Sequence, residues 1–592
     1  VAEAARAVLS QPGLPYWGAA LALLLLLPAL RLGLQADDYF VRMVALGCPG
    51  LPDMEISPLD CFSFADGVPE HNRLKLEQDL LPWWVHETAS VSFFRPLSAL
   101  THCFDFRFLE PAWWLMHLHS LLWYALLCVA AGFLYRRMIP LAWVAGLAAL
   151  FFALDDAHGI PAAWLSNRNA VMTTLSGVLV LIAHDAWRRG HWRPGAPLAW
   201  LALVFGLASG EAAISVGAYL FSYALFIDPA PWRRRALSLA PYALIAGTYF
   251  VCYRIQGYGT AGSGLYRDPF HEPAGFLLAV VKHLPALLHG QLGLAPANVY
   301  PILGSTAQIL YSVIGVLAVA AAFALFMPLL RRDALARFWA LGMVLSTVPV
   351  CSTIPTERLL GFAGIGAMGL VAQFIAGIGE ADAARAVWRR RAESAAVCFF
   401  LLAHGVVAPL SMPFAAANVA IFGRMIERGM EQLPQGPAAS SRSIVMLNAP
   451  FDVFATSVVP FRLAHGEPPY ADVWVLNAGL AALDAKRIDR FTLEVRPEDG
   501  FCRAPFASTF RSTAVPFAVG DVFRVDGFRA EVLALTADRR PEVVRFRFDK
   551  PFEDPSLAWY CGGVDNMEPW QPPSVGESAQ LPKRRVLDWL FP

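Results

Sequence analysis

Apolar residues run in long blocks up to about residue 413 and in short alternating stretches from about residue 441, so two kinds of structure are predicted. A bilayer core of about 30 Å takes roughly 20 mostly apolar helical residues. Such runs occur at 15–34, 113–134, 139–154, 170–187, 197–209, 212–228, 236–254, 309–330, 336–352, 359–379 and 394–413, which predicts about 11 membrane-crossing helices. Under this count the connections holding Arg136, Arg188, Arg233, Arg331 and Arg389 with their neighbouring arginines share one face, which the positive-inside rule makes cytoplasmic. The segment 276–295 is also apolar, but a crossing there would carry Arg331 and Arg332 to the other face. It reads as a helix at the outer interface, where Lys282, His283, His289 and Gln291 are tolerated. The first run has no small-residue cleavage pattern at its end and reads as a retained anchor.

Past residue 441, SIVMLNA, DVFATSVV, RFTLEVR, FRAEVLAL and EVVRFRF alternate in short stretches between Gly, Pro and Asp, the pattern of strands. The expected fold is a polytopic α-helical membrane protein with a C-terminal β-rich extracytoplasmic domain. Its units are a transmembrane catalytic domain over 1–413 with a first outer loop of about 35–112, a linker over 414–440, and the β-rich domain over 441–592. Composition supports this. In 592 residues, 56% hydrophobic and 16% charged, with 40 Phe and 18 Trp, the chain is too apolar for a soluble enzyme or a disordered protein. Its net charge of zero offers nothing to nucleic acid.

The outward regions hold Cys48 and Cys61 in the first loop and Cys502 and Cys561 in the β-rich domain, two local pairs that are candidate disulfides in an oxidising compartment. Cys103 is left over. Cys128, Cys252, Cys351 and Cys398 sit in or at the ends of apolar runs and behave there as small hydrophobes.

Charged turns recur on the outer face. Asp37 and Asp38 follow the first run; adjacent acids beside a low-dielectric phase favour a raised pKa and a usable general base, while a solvated, helix-terminating pair is the plain alternative. Arg95 precedes Pro96 in FRPLSAL, and a forked guanidinium at headgroup level suits a phosphate, or snorkels to lipid. Asp155, Asp156, His158 and Arg168 occupy the turn 155–169, Glu211 follows Ser209 and Gly210, and Glu357 and Arg358 precede the tenth run. No histidine or cysteine spacing marks a metal site, and no P-loop or GxSxG is present. The Gly-rich stretch 257–264 has no preceding strand and reads as a mobile loop.

Together these turns resemble the GT-C superfamily of polyprenyl-phosphate-sugar glycosyltransferases, in particular the protein O-mannosyltransferases and the tetratricopeptide-containing transmembrane O-mannosyltransferases. The resemblance covers about residues 15–380 and is carried by Asp37-Asp38, FRPLSAL at 94–100, WLSNRNAV at 164–171, SGE at 209–211 and TERLLGFAGIG at 356–366, in the family's order. Gly210 stands where the family has Lys, Leu359 and Gly361 stand where it has Tyr, and the β-rich domain replaces its repeats.

The resemblance implies an inverting transfer of a sugar, mannose or a related one, from a polyprenyl-phosphate donor to a hydroxyl on a protein, lipid or cell-wall glycan acceptor. Asp37 or Asp38 would be the general base, Arg95, Arg168 and Arg358 the lipid-phosphate ligands, and Glu211 with Asp155, Asp156, His158 and Glu357 supporting residues. It implies no cofactor beyond the donor substrate and requires no divalent metal. The bacterial inner membrane is the expected location, with the site facing outward. A lipid-linked glycan transporter or flippase and a non-catalytic membrane-anchored assembly protein are the alternatives, although the charges cluster at one face and not midway across as transporter sites do.

Overall fold

The computed structural model describes residues 2–51, 53–377, 387–503 and 508–585. Among the described residues six helices are long and apolar enough to cross a membrane: Trp113–Met138, Leu165–Arg188, Trp232–Ile255, Ser305–Arg332, Ala334–Ser352 and Val387–Glu431. The pairs Glu3–Leu9 with Leu14–Leu25, bent by 90°, and Ala142–Ala153 with Asp156–Ala163, bent by 42°, raise the number to 8 if each is one span. Eleven crossings are not reproduced. The expected spans 197–209 and 212–228 are the helices Gly195–Ser209 and Glu211–Phe226, neither longer than about 24 Å at 1.5 Å per residue, and 359–379 is the helix Gly361–Gly377, with 378 and 379 outside the described residues. The helix Pro273–Gln291, covering the expected interfacial segment, is not among the crossing candidates. It lies against Ser305–Arg332, where Ser312 Oγ donates to the Lys282 carbonyl at 2.8 Å.

The first outer loop is structured. The helix Asp37–Ala45 leads to strand β1 (Ser63–Asp66), paired antiparallel with β2 (Ser90–Ser92), and then to the helix Pro96–Phe108. Proline opens that helix at a position whose N–H would have no helical partner in any case.

The expected linker 414–440 is helical over most of its length, through Ala408–Asn418 and Ala420–Glu431. Val419, Ile426, Met430 and Leu433 recur at helical spacing and are buried. Beyond it lie β3 (Ser443–Met446), β4 (Asp472–Val475), β5 (Leu483–Arg487), β6 (Thr492–Pro497), β7 (Val522–Val525), β8 (Phe528–Leu535), β9 (Pro541–Phe548), β10 (Leu557–Gly562), β11 (Met567–Pro569) and β12 (Ser578–Leu581). They form a four-stranded sheet in the order β11-β10-β3-β4 and a six-stranded one in the order β12-β5-β6-β9-β8-β7. The region is not purely β. DVFATSVV at 452–459, expected as a strand, begins the helix Asp452–Ala464, because β3 and β4 run parallel and need a crossover between them.

The first outer loop and the C-terminal region share one hydrophobic core, separate from the core of the helical bundle. Trp83 sits at the join: its ring centroid lies 5.4 Å from that of Phe523 and 5.5 Å from that of Phe546, and its Nε1 donates to the Leu476 carbonyl at 3.0 Å. The candidate disulfides do not form. All nine cysteines are free thiols, with Cys502 just after β6 and Cys561 in β10 of the other sheet. Cys61 neighbours Cys103 instead of Cys48, and both thiols donate to the Pro58 carbonyl, at 2.8 and 3.3 Å.

Candidate active site

Where helices of the bundle end beneath the outer loop, a cavity of about 570 Å³ opens. Most of its wall is apolar, with Phe62, Phe64, Phe93, Trp164, Phe250 and Phe276 among the lining residues. Asp37, Arg95, Glu211 and Arg358, drawn from four separate turns of the sequence, line it together.

The Asp37-Asp38 pair divides its roles. Asp38 is fully buried and absent from the cavity lining. Its carboxylate accepts from the Gln35 N–H and the Ser166 N–H, each at 2.8 Å, and from the Ser166 hydroxyl. Burial pushes its pKa up to about 7, with the Ser166 and Gln35 donors opposing. These bonds fasten the start of the helix Asp37–Ala45 to the turn before Arg168. The neighbouring Asp37 is thereby held at the cavity, where it lacks a hydrogen-bond partner among the described residues. Burial raises the Asp37 pKa above its ordinary value of 3.8, and the Arg358 and Arg95 guanidinium groups pull it back.

The arginines also separate. Arg95 donates from Nε to Glu211 Oε2 at 2.9 Å and from Nη2 to Oε1, and its guanidinium lies 4.4 Å from the Phe93 ring centroid and 5.2 Å from that of Phe62. Glu211 thus fixes and neutralises Arg95. Arg358 lies over Trp164 at 5.5 Å and has no ion-pair partner among the described residues, leaving its charge available to a ligand. Arg168 is not in the cavity. It is fully buried, ion-paired with Asp105, and donates to Ser120 Oγ at 2.8 Å and Thr101 Oγ1 at 3.1 Å. It braces the helix Pro96–Phe108 against the bundle and cannot reach a ligand there.

The supporting residues fall in two places. His158 lines the cavity, its Nδ1 held 3.1 Å from the Phe152 carbonyl and its Nε2 without a partner among the described residues. Asp155 accepts from Gln291 Nε2 at 2.9 Å and from the Ala157 N–H at 3.1 Å, joining this turn to the helix Pro273–Gln291. Glu357 exchanges two bonds with the Asn298 amide, at 2.6 and 2.9 Å. Its pKa is pushed up to about 8 by burial and then by Asp156 and Asp155. Asp155, Asp156 and Glu357 stand outside the cavity lining.

Residues that the sequence did not single out complete the wall. Arg254, paired with Asp268 at 2.5 Å, Tyr266 and Arg267 all line it. They come from the Gly-rich loop and its flanks, which are tied down and not free: Gly259 forms a bridge with Ser92, and Tyr266 with Thr353. The signal was the cluster of Tyr, Arg and Asp at 266–268 directly after the glycines.

The apolar helices and this pocket at their ends define an integral membrane protein with a charged, apolar-walled ligand site. No family model matches the sequence, and comparison with curated proteins gives no match. Among solved structures the chain is similar to the oligosaccharyltransferase AglB of Archaeoglobus fulgidus in complex with an inhibitory peptide and a dolichol-phosphate, at 12% identity and a TM-score of 0.40 over 76% of this chain and 64% of that one. A second structure of the A. fulgidus oligosaccharyltransferase, tethered to an acceptor peptide, is similar at 13% identity and a TM-score of 0.36 over 74% of this chain and 62% of that one. ArnT from Cupriavidus metallidurans, bound to undecaprenyl phosphate, is similar at 14% identity and a TM-score of 0.37 over 74% of this chain and 83% of that one. The chain therefore spans less than two thirds of the two archaeal chains. The resemblance to the GT-C superfamily, and within it to the O-mannosyltransferases, stands on the sequence motifs.

Proposed function

We propose that the protein is an inverting glycosyltransferase of the GT-C type, which moves a sugar from a polyprenyl-phosphate donor to a hydroxyl acceptor with Asp37 as the general base. The observation that carries this is the placement, in one apolar-walled cavity, of a carboxylate with no hydrogen-bond partner and a guanidinium with no carboxylate partner among the described residues, Asp37 and Arg358. An acceptor O–H attacking the anomeric carbon must give up its proton as the new C–O bond forms, and Asp37 receives it. The bond from the anomeric carbon to the phosphate oxygen breaks on the opposite face, inverting the configuration. Arg358 takes the charge that develops on the departing lipid phosphate. Arg95, held by Glu211, supports the same field. Asp38 is a positioning residue that acts through the Ser166 and Gln35 bonds. A monophosphate leaving group beside guanidinium groups requires no divalent metal. The cavity faces the extracytoplasmic side of a bacterial inner membrane in this proposal, and the transferred sugar is mannose or a related hexose.

The test uses the full chain in nanodiscs, with release of free polyprenyl phosphate followed from a panel of polyprenyl-phosphate sugars in the presence of cell-envelope extract. Release by wild type that disappears in Asp37→Asn, with an unchanged thermal midpoint, is the expected result. No release from any donor, or equal release by the variant, overturns the assignment.

A further inference from the structure

A second cleft, of about 300 Å³, lies between the Gly-rich outer loop and the six-stranded sheet. Five arginines line it, Arg267, Arg503, Arg511, Arg539 and Arg540, against one carboxylate, Asp538. Three of the five have acidic partners: Arg540 pairs with Asp538 at 2.7 Å, Arg503 with Asp499, and Arg267 with Glu272 at the long distance of 3.7 Å. Arg511 and Arg539 have no ion-pair partner among the described residues.

Arg511 is the informative one. It is only 6% exposed, its guanidinium stacks 3.8 Å from the Phe517 ring centroid and 5.3 Å from that of Phe523, and its Nε donates to the Val515 carbonyl at 3.1 Å. Asp521 acts on it from beyond ion-pair distance, so the buried cation gains from an anion brought into contact. Beside it, Ser508 is 6% exposed, lines the cleft, and has a hydroxyl with no hydrogen-bond partner among the described residues. The site is also built with tight tolerance. The Gly264 N–H donates to the Ser508 carbonyl at 2.9 Å, and a Cβ on Gly264 would stand 2.5 Å from Ser508 Oγ, so only glycine permits this approach.

The cleft adjoins the main cavity. The loop 259–268 separates them, with Gly264 on the cleft side, Gly259, Thr260 and Tyr266 on the cavity side, and Arg267 lining both. The cavity's apolar walls suit a lipid-linked donor, whereas the cleft's walls come from the outer loop and the C-terminal region.

We propose that this cleft is the acceptor subsite of the glycosyltransferase and that the acceptor is an acidic saccharide, whose phosphate or carboxylate oxygens are held by Arg511, Arg539 and the Ser508 hydroxyl. The proposal rests on the transferase assignment for its meaning, and on the cleft alone for its chemistry. An anion anchored at Arg511 supplies a direct ion pair for the guanidinium and a partner for the Ser508 hydroxyl together.

The experiment is equilibrium binding to the full chain in zwitterionic nanodiscs, using glucose 6-phosphate, glucuronate and glucose as probes. At least one charged sugar is expected to bind about tenfold or more tightly than glucose, since charge-assisted bonds to a buried guanidinium are the strong ones. The phosphate and carboxylate arms show which oxyanion is preferred. Arg539→Gln, at an exposed position, and Arg511→Lys, which keeps the charge but loses the fork, should each weaken that binding several-fold, and Asp37→Asn should leave it intact. Equal binding of charged and neutral sugars, or wild-type binding by both arginine variants, overturns the proposal. Charged-sugar binding without polyprenyl phosphate release from any donor would refute the transferase and leave the anion site standing; release without charged-sugar binding would do the reverse.

Discussion

Asp37 and Asp38 are adjacent in sequence and should respond to replacement with opposite signs. Asp38→Ala removes the acceptor for the Gln35 and Ser166 N–H groups, both inside the protein and both at 2.8 Å. Each orphaned buried donor costs about 1–3 kcal/mol, so about 2–6 kcal/mol of stability is at stake. The measurement is a pH series between about 4 and 7: the unfolded carboxyl ionises above its ordinary 3.8 while the folded one keeps its proton up to about 7, so the relief that Ala brings grows across that window and the lost bonds show most clearly at its acid end. Asp37→Asn gives up no hydrogen bond and removes a carboxylate whose charged form burial disfavours, so its thermal midpoint should equal or exceed that of wild type. Its rate should fall about 10²–10⁴-fold, the ordinary contribution of a general base. The assay pairs thermal unfolding of nanodisc-embedded protein with polyprenyl phosphate release from one donor. If Asp38→Ala melts with wild type while an Asp38→Asn variant of unchanged stability loses all release, Asp38 is the base and the division of roles is refuted.

Three further outcomes follow from the same geometry. Because Asp37 must be ionised to act and its pKa lies above 3.8, kcat/KM should rise with pH through that raised value; Arg358→Gln removes the first of the two opposing cations, so the acid limb should move to higher pH while the plateau falls about 10²–10³-fold, and a limb that stays or moves down contradicts the pairing. Arg168→Gln should be destabilising by up to about 3–5 kcal/mol, because it leaves the buried Asp105 carboxylate with His119 as its remaining partner, seen as lost folded yield with an unchanged donor KM in what survives, and Arg168→Met with Asp105→Leu should recover the yield. Mild oxidation of the full chain should link Cys61 to Cys103 in peptide mass spectra, and a Cys48–Cys61 or Cys502–Cys561 link would contradict the packing.

The cavity was largely legible because Asp37, Glu211 and Arg358 each stand beside the end of an apolar run, and bundle ends at one face must meet, while Arg95 was marked by FRPLSAL in the first outer loop. What each arginine does there was not. Arg168 opens a helix and Arg358 lies three residues before one, each after a polar turn, and it is Asp105, 63 residues from Arg168, that draws that guanidinium away from the pocket. Arg254, Tyr266 and Arg267 were missed because the pairings that order their loop are non-local: Gly259 with Ser92 and Gly264 with Ser508 leave no mark on local periodicity. The span count exceeds the 6 to 8 long candidates at Gly195–Ser209, Glu211–Phe226 and Gly361–Gly377, which are apolar helices where expected but short over the described residues. DVFATSVV read as a strand because a short apolar run without strict alternation fits either element; its parallel neighbours decide for the helix.

The charge arrangement gives the proposed reaction a property that neither Asp37 nor Arg358 shows alone. Arg95 is neutralised by Glu211, Arg254 by Asp268 and Arg267 by Glu272, so among the described residues the charges of the cavity left to change partners are Asp37 and Arg358. A sugar-phosphate-lipid diester enters with one negative charge, and transfer leaves a lipid phosphate that can carry two. Asp37 loses its negative charge to the acceptor proton in the same step. The total is therefore conserved, and one unit of negative charge moves from Asp37 toward the phosphate beside Arg358. In an apolar-walled cavity a net gain of charge would be expensive, whereas a transfer between two prepared sites costs only the difference in their stabilisation. Base and cation must then act as a pair. Arg358→Gln should slow transfer most when Asp37 is ionised, and adding Arg358→Gln to Asp37→Asn should cost much less than it costs wild type, because the charge that Arg358 receives no longer leaves Asp37.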